Sequence, residues 1–502
     1  MHAALLLDDV LRQILDLCSK SSLTAVARTC SSWKDPALDG IWCHLGSLIP
    51  LLNLLPGLVC VGGVHDIDSE TPLDFTLFNS YACRVKHITE RHTTRLHPRL
   101  LSLLSPLPRL ITTRLSSTDS NCLPAALSLS ASLRQLDLDS GFRKKKSDAY
   151  NGYVEALLSV ATHIERVRLR GLVDPCLNTS ISQMYKLRSL SLRIGTVLSS
   201  ETLVAISTFP FLSELEVEAA HIDFDNAVFE EWSQPHSHVN RFQALKKLHI
   251  RAQAPLIELM LKIIPPASLH TLRIEATPTL TSRPIPVCWT SLFDTIMANA
   301  SYTLHTLTIE QHLDDIDDTI DTSPSSPRPN SQNDRIAFDT MRRLVALRLL
   351  RRLIIDTTHI PTLSDTELEA LATWWPNLEH LDLGSLHSSE CHPATPTSKP
   401  RATLGCLQAF ASALPELHTL ILPLDLDVVV PPLSTAHSSK ARPSVLERAT
   451  FSSLTPPASK AIAPYLHALF PQLTAVDGMD SHENEWNEVR NLLKDHRTTL
   501  RA

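Results

Sequence analysis

The chain is poor in glycine, with 12 among 502 residues, and none of its ten cysteines forms a close C-x-x-C pair. Scarce glycine argues against glycine-loop nucleotide folds. The 34 prolines point instead to many short elements separated by rigid stops. Without paired spacings, Cys18, Cys30, Cys43, Cys60, Cys83, Cys122, Cys176, Cys288, Cys391 and Cys406 read as free thiols of a reducing compartment, cytoplasmic or nuclear. No metal site and no cofactor is predicted. A basic surplus is also lacking: 46 basic against 53 acidic residues leave a formal charge of -7, which sets nucleic acid aside as a partner. No basic residue precedes Leu5, Leu6 and Leu7, and Asp8 and Asp9 break that apolar run, so no secretory signal is expected. There is no G-x-S-x-G elbow, phosphate loop or H-E-x-x-H pair. The acidic run Asp314 to Asp318 lacks the glycine and closing glutamate of a calcium loop. The expectation is a chain that is not an enzyme.

Leu45 to Val64 carries no formal charge over about 20 residues, the length of a membrane span. Pro50, Asn53 and Pro56-Gly57 would break a helix in hydrocarbon, and no Lys/Arg flank orients it. The segment is therefore predicted as a buried helix followed by a buried strand, with no membrane partner. With 43% hydrophobic and 20% charged residues the chain can bury a large core.

What is abundant is leucine at a fixed spacing. From about residue 105 one phrase recurs: apolar, two variable residues, apolar, one variable, apolar. It stands at Leu133/Leu136/Leu138, Ile164/Val167/Leu169, Leu187/Leu190/Leu192, Leu212/Leu215/Val217, Leu245/Leu248/Ile250, Leu269/Leu272/Ile274, Leu304/Leu307/Ile309, Leu350/Leu353/Ile355, Leu378/Leu381/Leu383 and Leu417/Leu420/Leu422. Weaker copies are Leu110/Thr113/Leu115, Leu446/Ala449/Phe451 and Leu473/Val476. The closing alternation predicts a short strand with one face buried. Between strands, Ser199-Ser200-Glu201 and Ser364 with Glu367 read as helix starts, and Pro210 and Pro376 as turns back toward the next strand. Such units bury their apolar faces only by stacking, with strands inside and helices outside.

These phrases resemble leucine-rich repeats over roughly three quarters of the chain, and the shorter steps fall in the family's range of about 20 to 29 residues. The family's asparagine or cysteine after the strand is mostly absent, with Gly141, Gly171, Gly195 and Ala220 near its place. The resemblance implies an α/β fold, a curved solenoid over residues 106–480. Insertions rich in Ser, Thr and Pro stand near 314–333 and 387–401, and residues 481–502 form a capping helix with Trp486, Val489, Leu492 and Leu493 on one face.

The first fifty residues follow a helical period. Leu7, Val10, Leu11, Ile14, Leu15 and Cys18 share one side of a first helix; Leu23, Val26, Ala27 and Cys30 supply a second; Trp33 and Trp42 bracket a third segment containing Pro36. About 40 residues bury too little surface to be stable alone. Leu7-Asp8-Asp9-Val10-Leu11-Arg12-Gln13-Ile14-Leu15, Cys30-Ser31-Ser32-Trp33-Lys34 and Ile41-Trp42 resemble the F-box pattern. Asp8 stands where that family has proline, and Asp8 is expected to cap the helix by accepting from its first amides. The resemblance implies an N-terminal three-helix F-box over residues 1–48 and a bridging segment with a first irregular repeat over 49–105. It also implies that Leu7, Val10, Leu11, Ile14, Leu15, Leu23, Val26 and Trp33 bind a Skp-type adaptor, and through it a cullin, in a ubiquitin ligase. The repeats would hold a protein substrate; a repeat scaffold without a ligase role is the alternative.

Substrate-facing candidates are the charged variable positions of the strands. Arg166, Arg168, Arg170 and Arg193 form a basic block, Glu214, Glu216 and Glu218 an acidic one, and Lys247, His249, Arg251 and Arg273 a second basic one. Neighbouring strands place same-face residues side by side, so mutual pairing competes with substrate binding at these positions. Arg143-Lys144-Lys145-Lys146 reads as a solvated repeat loop.

Overall fold

The computed structural model describes residues 7–68, 70–72, 74–90, 94–116, 127, 129–142, 151–172, 176–223, 232, 241–277, 288–311, 336–357, 361–384, 400–432, 444–453, 455–478 and 482–501. The basic run at 143–146, the insertion near 314–333, most of that near 387–401, and Ser481 lie outside these residues. The chain divides into two compact units, Met1–Asp225 and Asn226–Ala502.

The first unit opens with helices α1 (Asp8–Asp16), α2 (Lys20–Ala27) and α3 (Ser31–Trp42). The α2 start is dictated by Ser19, whose hydroxyl accepts from the Ser22 amide. No side chain caps α1: Leu7 occupies the N-cap position, and Asp8, one residue inside, pairs with Arg12 at 2.8 Å. The capping role predicted for Asp8 is therefore not taken, because within the first turn its carboxylate reaches the i+4 guanidinium. Leu11, Leu15, Leu23 and Ala37 form the core of this helical unit, with Cys18, Val26, Ala27, Trp33 and Ile41 packed against it.

A parallel sheet follows. Its strands are β1 (His44–Leu45), β4 (His87–Glu90), β6 (Thr112–Ser116), β7 (Gln135–Gly141), β8 (Arg166–Gly171), β9 (Ser189–Ser199) and β10 (Glu214–Asp223), hydrogen-bonded in that order. Between the first two, β2 (Leu58–Val61) and β3 (Val64–Ile67) make an antiparallel hairpin, with β5 (Arg95–Leu96) added in parallel to β3.

The charge-free segment resolves into a short helix, Ile49–Leu52, with Leu51 and Leu52 fully buried, and then β2. The strand half of that expectation is corrected. Val59, Cys60 and Val61 are exposed, since the small sheet turns one edge to solvent instead of entering the core. Among the described residues no helix is long and apolar enough to cross a membrane.

The second unit repeats the scheme with β11 (Lys247–Ala252), β12 (Thr271–Ala276), β13 (Thr306–Gln311), β14 (Arg352–Thr357), β15 (His380–Asp382), β16 (Thr419–Pro423), β17 (Arg448–Ser452) and β18 (Ala475–Gly478) in consecutive parallel order. Each of the thirteen sequence phrases coincides with one strand, β6 to β18. Register explains the spacing. Leu248 pairs with Leu272, Leu272 with Leu307, and Leu307 with Leu353, so the middle leucine forms one continuous buried row. Ile250, Ile274, Ile309 and Ile355 form a second row two residues on. The first leucine of each phrase sits just before its strand and is also buried, as at Leu245, Leu269, Leu304 and Leu350. Each unit is thus a leucine-rich-repeat layer, with a parallel sheet on one side and helices on the other.

Helix starts fall where the sequence places them. Ser199 accepts from the Thr202 amide before helix Ser200–Ser207, and Ser364 with Glu367 closes a capping box before helix Asp365–Ala372. The last helix, Glu483–Arg501, buries Trp486, Val489 and Leu493. The Trp486 indole lies against Gly478, where any Cβ would strike it. That fit ties the helix to β18 and covers the end of the sheet.

Candidate functional site

Two surfaces follow from the residues singled out above. On α1 the apolar residues split into two stripes, because 3.6 residues per turn separate i, i+4 from i+3, i+7. Leu11 and Leu15, with Cys18 half-buried beside them, point into the helical core. Leu7, Val10, Ile14 and Leu17 share the adjacent stripe; Leu7 is 59% exposed, Ile14 44%, Leu17 90%, and Val10 is intermediate. Of the eight residues implied as adaptor contacts, Leu11, Leu15 and Leu23 are therefore buried inside the unit. Val26 and Trp33 are half-buried on the same core, and Leu7, Val10 and Ile14 are accessible. Leu17, missed in the sequence, completes the stripe at ten residues from Leu7; its helical spacing was the available signal.

The stripe is held in place by ion pairs. Asp39 of α3 accepts from Arg12 of α1 at 3.0 Å and from Arg84, whose second nitrogen reaches Asp35 at 2.7 Å. Burial works against the Arg84 charge, but its bonds to Asp35 and Asp39 outweigh that and raise its pKa. Arg84 lies just after helix Thr76–Ala82, so the three helices are pinned to the start of the sheet.

The second surface is the open face of the strands. In the first unit Arg114, Asp137, Arg168, Ser191 and Glu216 occupy one row across β6 to β10, and Asp139, Arg170, Arg193 and Glu218 the next. Opposite charges face each other. Arg114 reaches Asp137 at 2.7 Å, Arg170 reaches Asp139 at 3.0 Å, and Arg193 reaches Glu216 at 2.5 Å and Glu218 at 3.8 Å. Arg168 reaches Glu216 at 4.0 Å, and Ser189 donates to Glu214 at 3.2 Å. Arg166 is exposed at the edge of this array. The blocks that look single-signed in sequence are thus interleaved in space: Arg168, Arg170 and Arg193 each reach a carboxylate on another strand.

In the second unit, His249 meets Glu275 at 2.8 Å, Arg273 meets Glu275 at 3.1 Å and Glu310 at 2.8 Å, and Arg251 pairs in register with Glu275. The hydrogen bond from His249, reinforced by the charges of His249, Arg273 and Arg251, holds the Glu275 carboxyl down at about 2 despite its burial. Lys247, one row away, is exposed. His380 lies farther along the sheet, where burial and then the charge of Arg352 lower its pKa to about 4, so it is neutral at pH 7.

One cluster was not anticipated. Cys43, His44 and His87 bring a thiol and two imidazoles together, with their ligand atoms all within 4.8 Å of one another. Burial lowers the His87 pKa, helped by His44 and Lys86, and burial pushes the Cys43 thiol up.

No protein-family model matches the chain, and no curated protein matches it. Among solved structures it is similar to one described as the crystal structure of the Rad7 and Elc1 complex in yeast. The likeness covers 84% of this chain and 87% of that one, at 12% identity and a TM-score of 0.30. It is also similar to a chain of the mouse RP105/MD-1 complex, over 80% of this chain, at 13% identity and a TM-score of 0.32. The match covers 55% of that chain, about half its length. The repeat assignment rests on the strand register above.

Proposed function

We propose that this chain is the substrate-recognition subunit of a Skp-type adaptor, cullin and F-box ubiquitin ligase, in which α1 to α3 hold the adaptor and the repeats hold a target protein. It carries out no bond chemistry itself; its contribution is to bring the target close to a ubiquitin transfer performed by other subunits. The observation that carries the reading is the apolar stripe Leu7, Val10, Ile14 and Leu17, left uncovered among the described residues on a helix whose other stripe already fills the unit's core. Solvated aliphatic side chains at i, i+3, i+7 and i+10 suit a helix that buries a second face against a partner. The F-box resemblance names that partner. A reducing compartment, cytoplasm or nucleus, accords with it, and the described cysteines Cys18, Cys30, Cys43, Cys60, Cys83, Cys288 and Cys406 are unbridged.

Co-purification of the full chain with a Skp-type adaptor tests the proposal. The wild type is expected to retain the adaptor, and the double change Ile14→Asp with Leu17→Asp to lose it while circular dichroism and the unfolding midpoint stay unchanged. Both positions are exposed, so failure to bind is not failure to fold. A wild type that captures no adaptor would sink the ligase reading and leave the repeat scaffold.

A further inference from the structure

The parallel pairing of β1 with β4 sets His44 and His87 opposite each other as register partners, with imidazole rings 4.3 Å apart and 14° from parallel. Cys43 precedes His44 directly at the end of α3, so its sulfur joins the pair from the helix side. These positions are fixed by the backbone. The carbonyl of Cys43 accepts from the amides of both Lys86 and His87, at 3.0 and 2.9 Å, and the Cys43 amide donates to Asp39 at 2.9 Å. Three donor atoms therefore converge from two chain segments that hydrogen bonds already hold together.

Their chemistry is selective. One thiol and two imidazoles, without a carboxylate among them, suit a borderline d-block cation and not the oxygen-seeking Mg2+ or Ca2+. Tetrahedral zinc with one sulfur and two nitrogen ligands needs donor separations of about 3.3 to 3.6 Å, from bond lengths of about 2.3 and 2.0 to 2.1 Å. The observed separations, all within 4.8 Å, are up to about an ångström wider, so closing on an ion takes rotation of the side chains, with His44 moving on the solvent side, where it is exposed. That side leaves a fourth position open to water. A coordinated ion would link the last residues of α3 to β4, the point where the helical unit meets the first repeats.

We propose that Cys43, His44 and His87 form a zinc-class cation site that clasps the helical unit to the repeat sheet. The proposal is independent of the adaptor reading, since none of the three belongs to the α1 stripe.

Cobalt titration of the chelator-treated full chain provides the test, with Co2+ as the spectroscopic stand-in for Zn2+. One equivalent is expected to produce thiolate-to-cobalt charge transfer and the strong visible bands of a four-coordinate ion, and Zn2+ to bleach both. Cys43→Ser should remove the charge transfer. His44→Ala, at an exposed position where the fold is retained, should weaken binding by about tenfold or more. Cys60→Ser, which alters the exposed thiol of β2, should change nothing. Zn2+ should raise the unfolding temperature of the wild type and not that of His44→Ala. Absence of stoichiometric binding, a charge-transfer band that survives Cys43→Ser, or displacement of Co2+ by Mg2+ at equal concentration would each overturn the site.

Discussion

Replacing Glu275 with glutamine removes one negative charge from a carboxylate that two side chains of the second unit's strands hold, while keeping its shape. The side chain is 13% exposed and bonds His249 at 2.8 Å and Arg273 at 3.1 Å. Its pKa falls from 4.5 to about 2 in the folded chain, first through the His249 hydrogen bond and then through the charges of His249, Arg273 and Arg251. At about 1.4 kcal/mol per pH unit, that fall contributes about 3 kcal/mol of stability at pH 7. The folded-state pKa is depressed, so this stability is fully present above the unfolded value of 4.5 and disappears as pH falls through about 2. Linkage leaves about half of it at pH 3. Glu275→Gln should therefore lower the unfolding temperature at pH 7 by about 5 °C for a unit of this size. The gap to wild type should shrink by about half at pH 3. Thermal unfolding followed by circular dichroism at pH 7, 5, 4 and 3 measures both quantities. Identical melting of the two proteins at pH 7, or a gap that stays constant down to pH 3, would refute the electrostatic account of this strand face.

Three further outcomes follow from packing. Trp375 is fully buried and its indole N–H donates to the carbonyl of Leu344 at 3.1 Å, so Trp375→Ala should cost about 3 to 5 kcal/mol in urea unfolding. Gly171 has φ +108°, and a Cβ there would strike the Gly141 carbonyl and the Ser140 hydroxyl; Gly171→Ala should destabilise the first unit by about 1 to 3 kcal/mol in the same assay. On α1, Leu11→Ala should cost about 2 to 5 kcal/mol, whereas Ile14→Ala should stay within about 0.5 kcal/mol. Equal effects at those two positions would show that the helix does not present its stripes as described.

The repeat strands were legible because their signal is local. A leucine three residues before a second and five before a third can bury all three only if the last two alternate on a strand. Two strands of the first unit's parallel sheet escaped that pattern. In β4, Val85 and Ile88 keep the spacing, but the third position is Glu90, whose buried carboxylate accepts from the Leu48 amide at 2.9 Å and from Thr94 at 2.5 Å. In β1 only two residues pair, so no alternation develops. The strand at 58–61 was assigned to the core from its apolarity, yet an uncharged residue at a sheet edge remains in water when nothing packs over it.

The candidate sites divide the same way. Helical spacing alone placed the apolar residues on α1, and alternation alone placed the charged residues on the open faces of β8 to β12. Which of two adjacent stripes enters a core depends on where α2 and α3 lie, and that put Leu11, Leu15 and Leu23 inside the helical unit. Whether Arg193 faces solvent or Glu216 depends on strand register, a relation between residues 23 apart in sequence. Cys43 and His44 were visible as neighbours, but His87 joins them only because β1 and β4 pair. Sequence by itself determined the repeat, its period and the identity of its buried rows, since those depend on spacing along one chain segment. Tertiary structure decided which surfaces stay open and which donors converge, because both are distances between segments that no local pattern encodes.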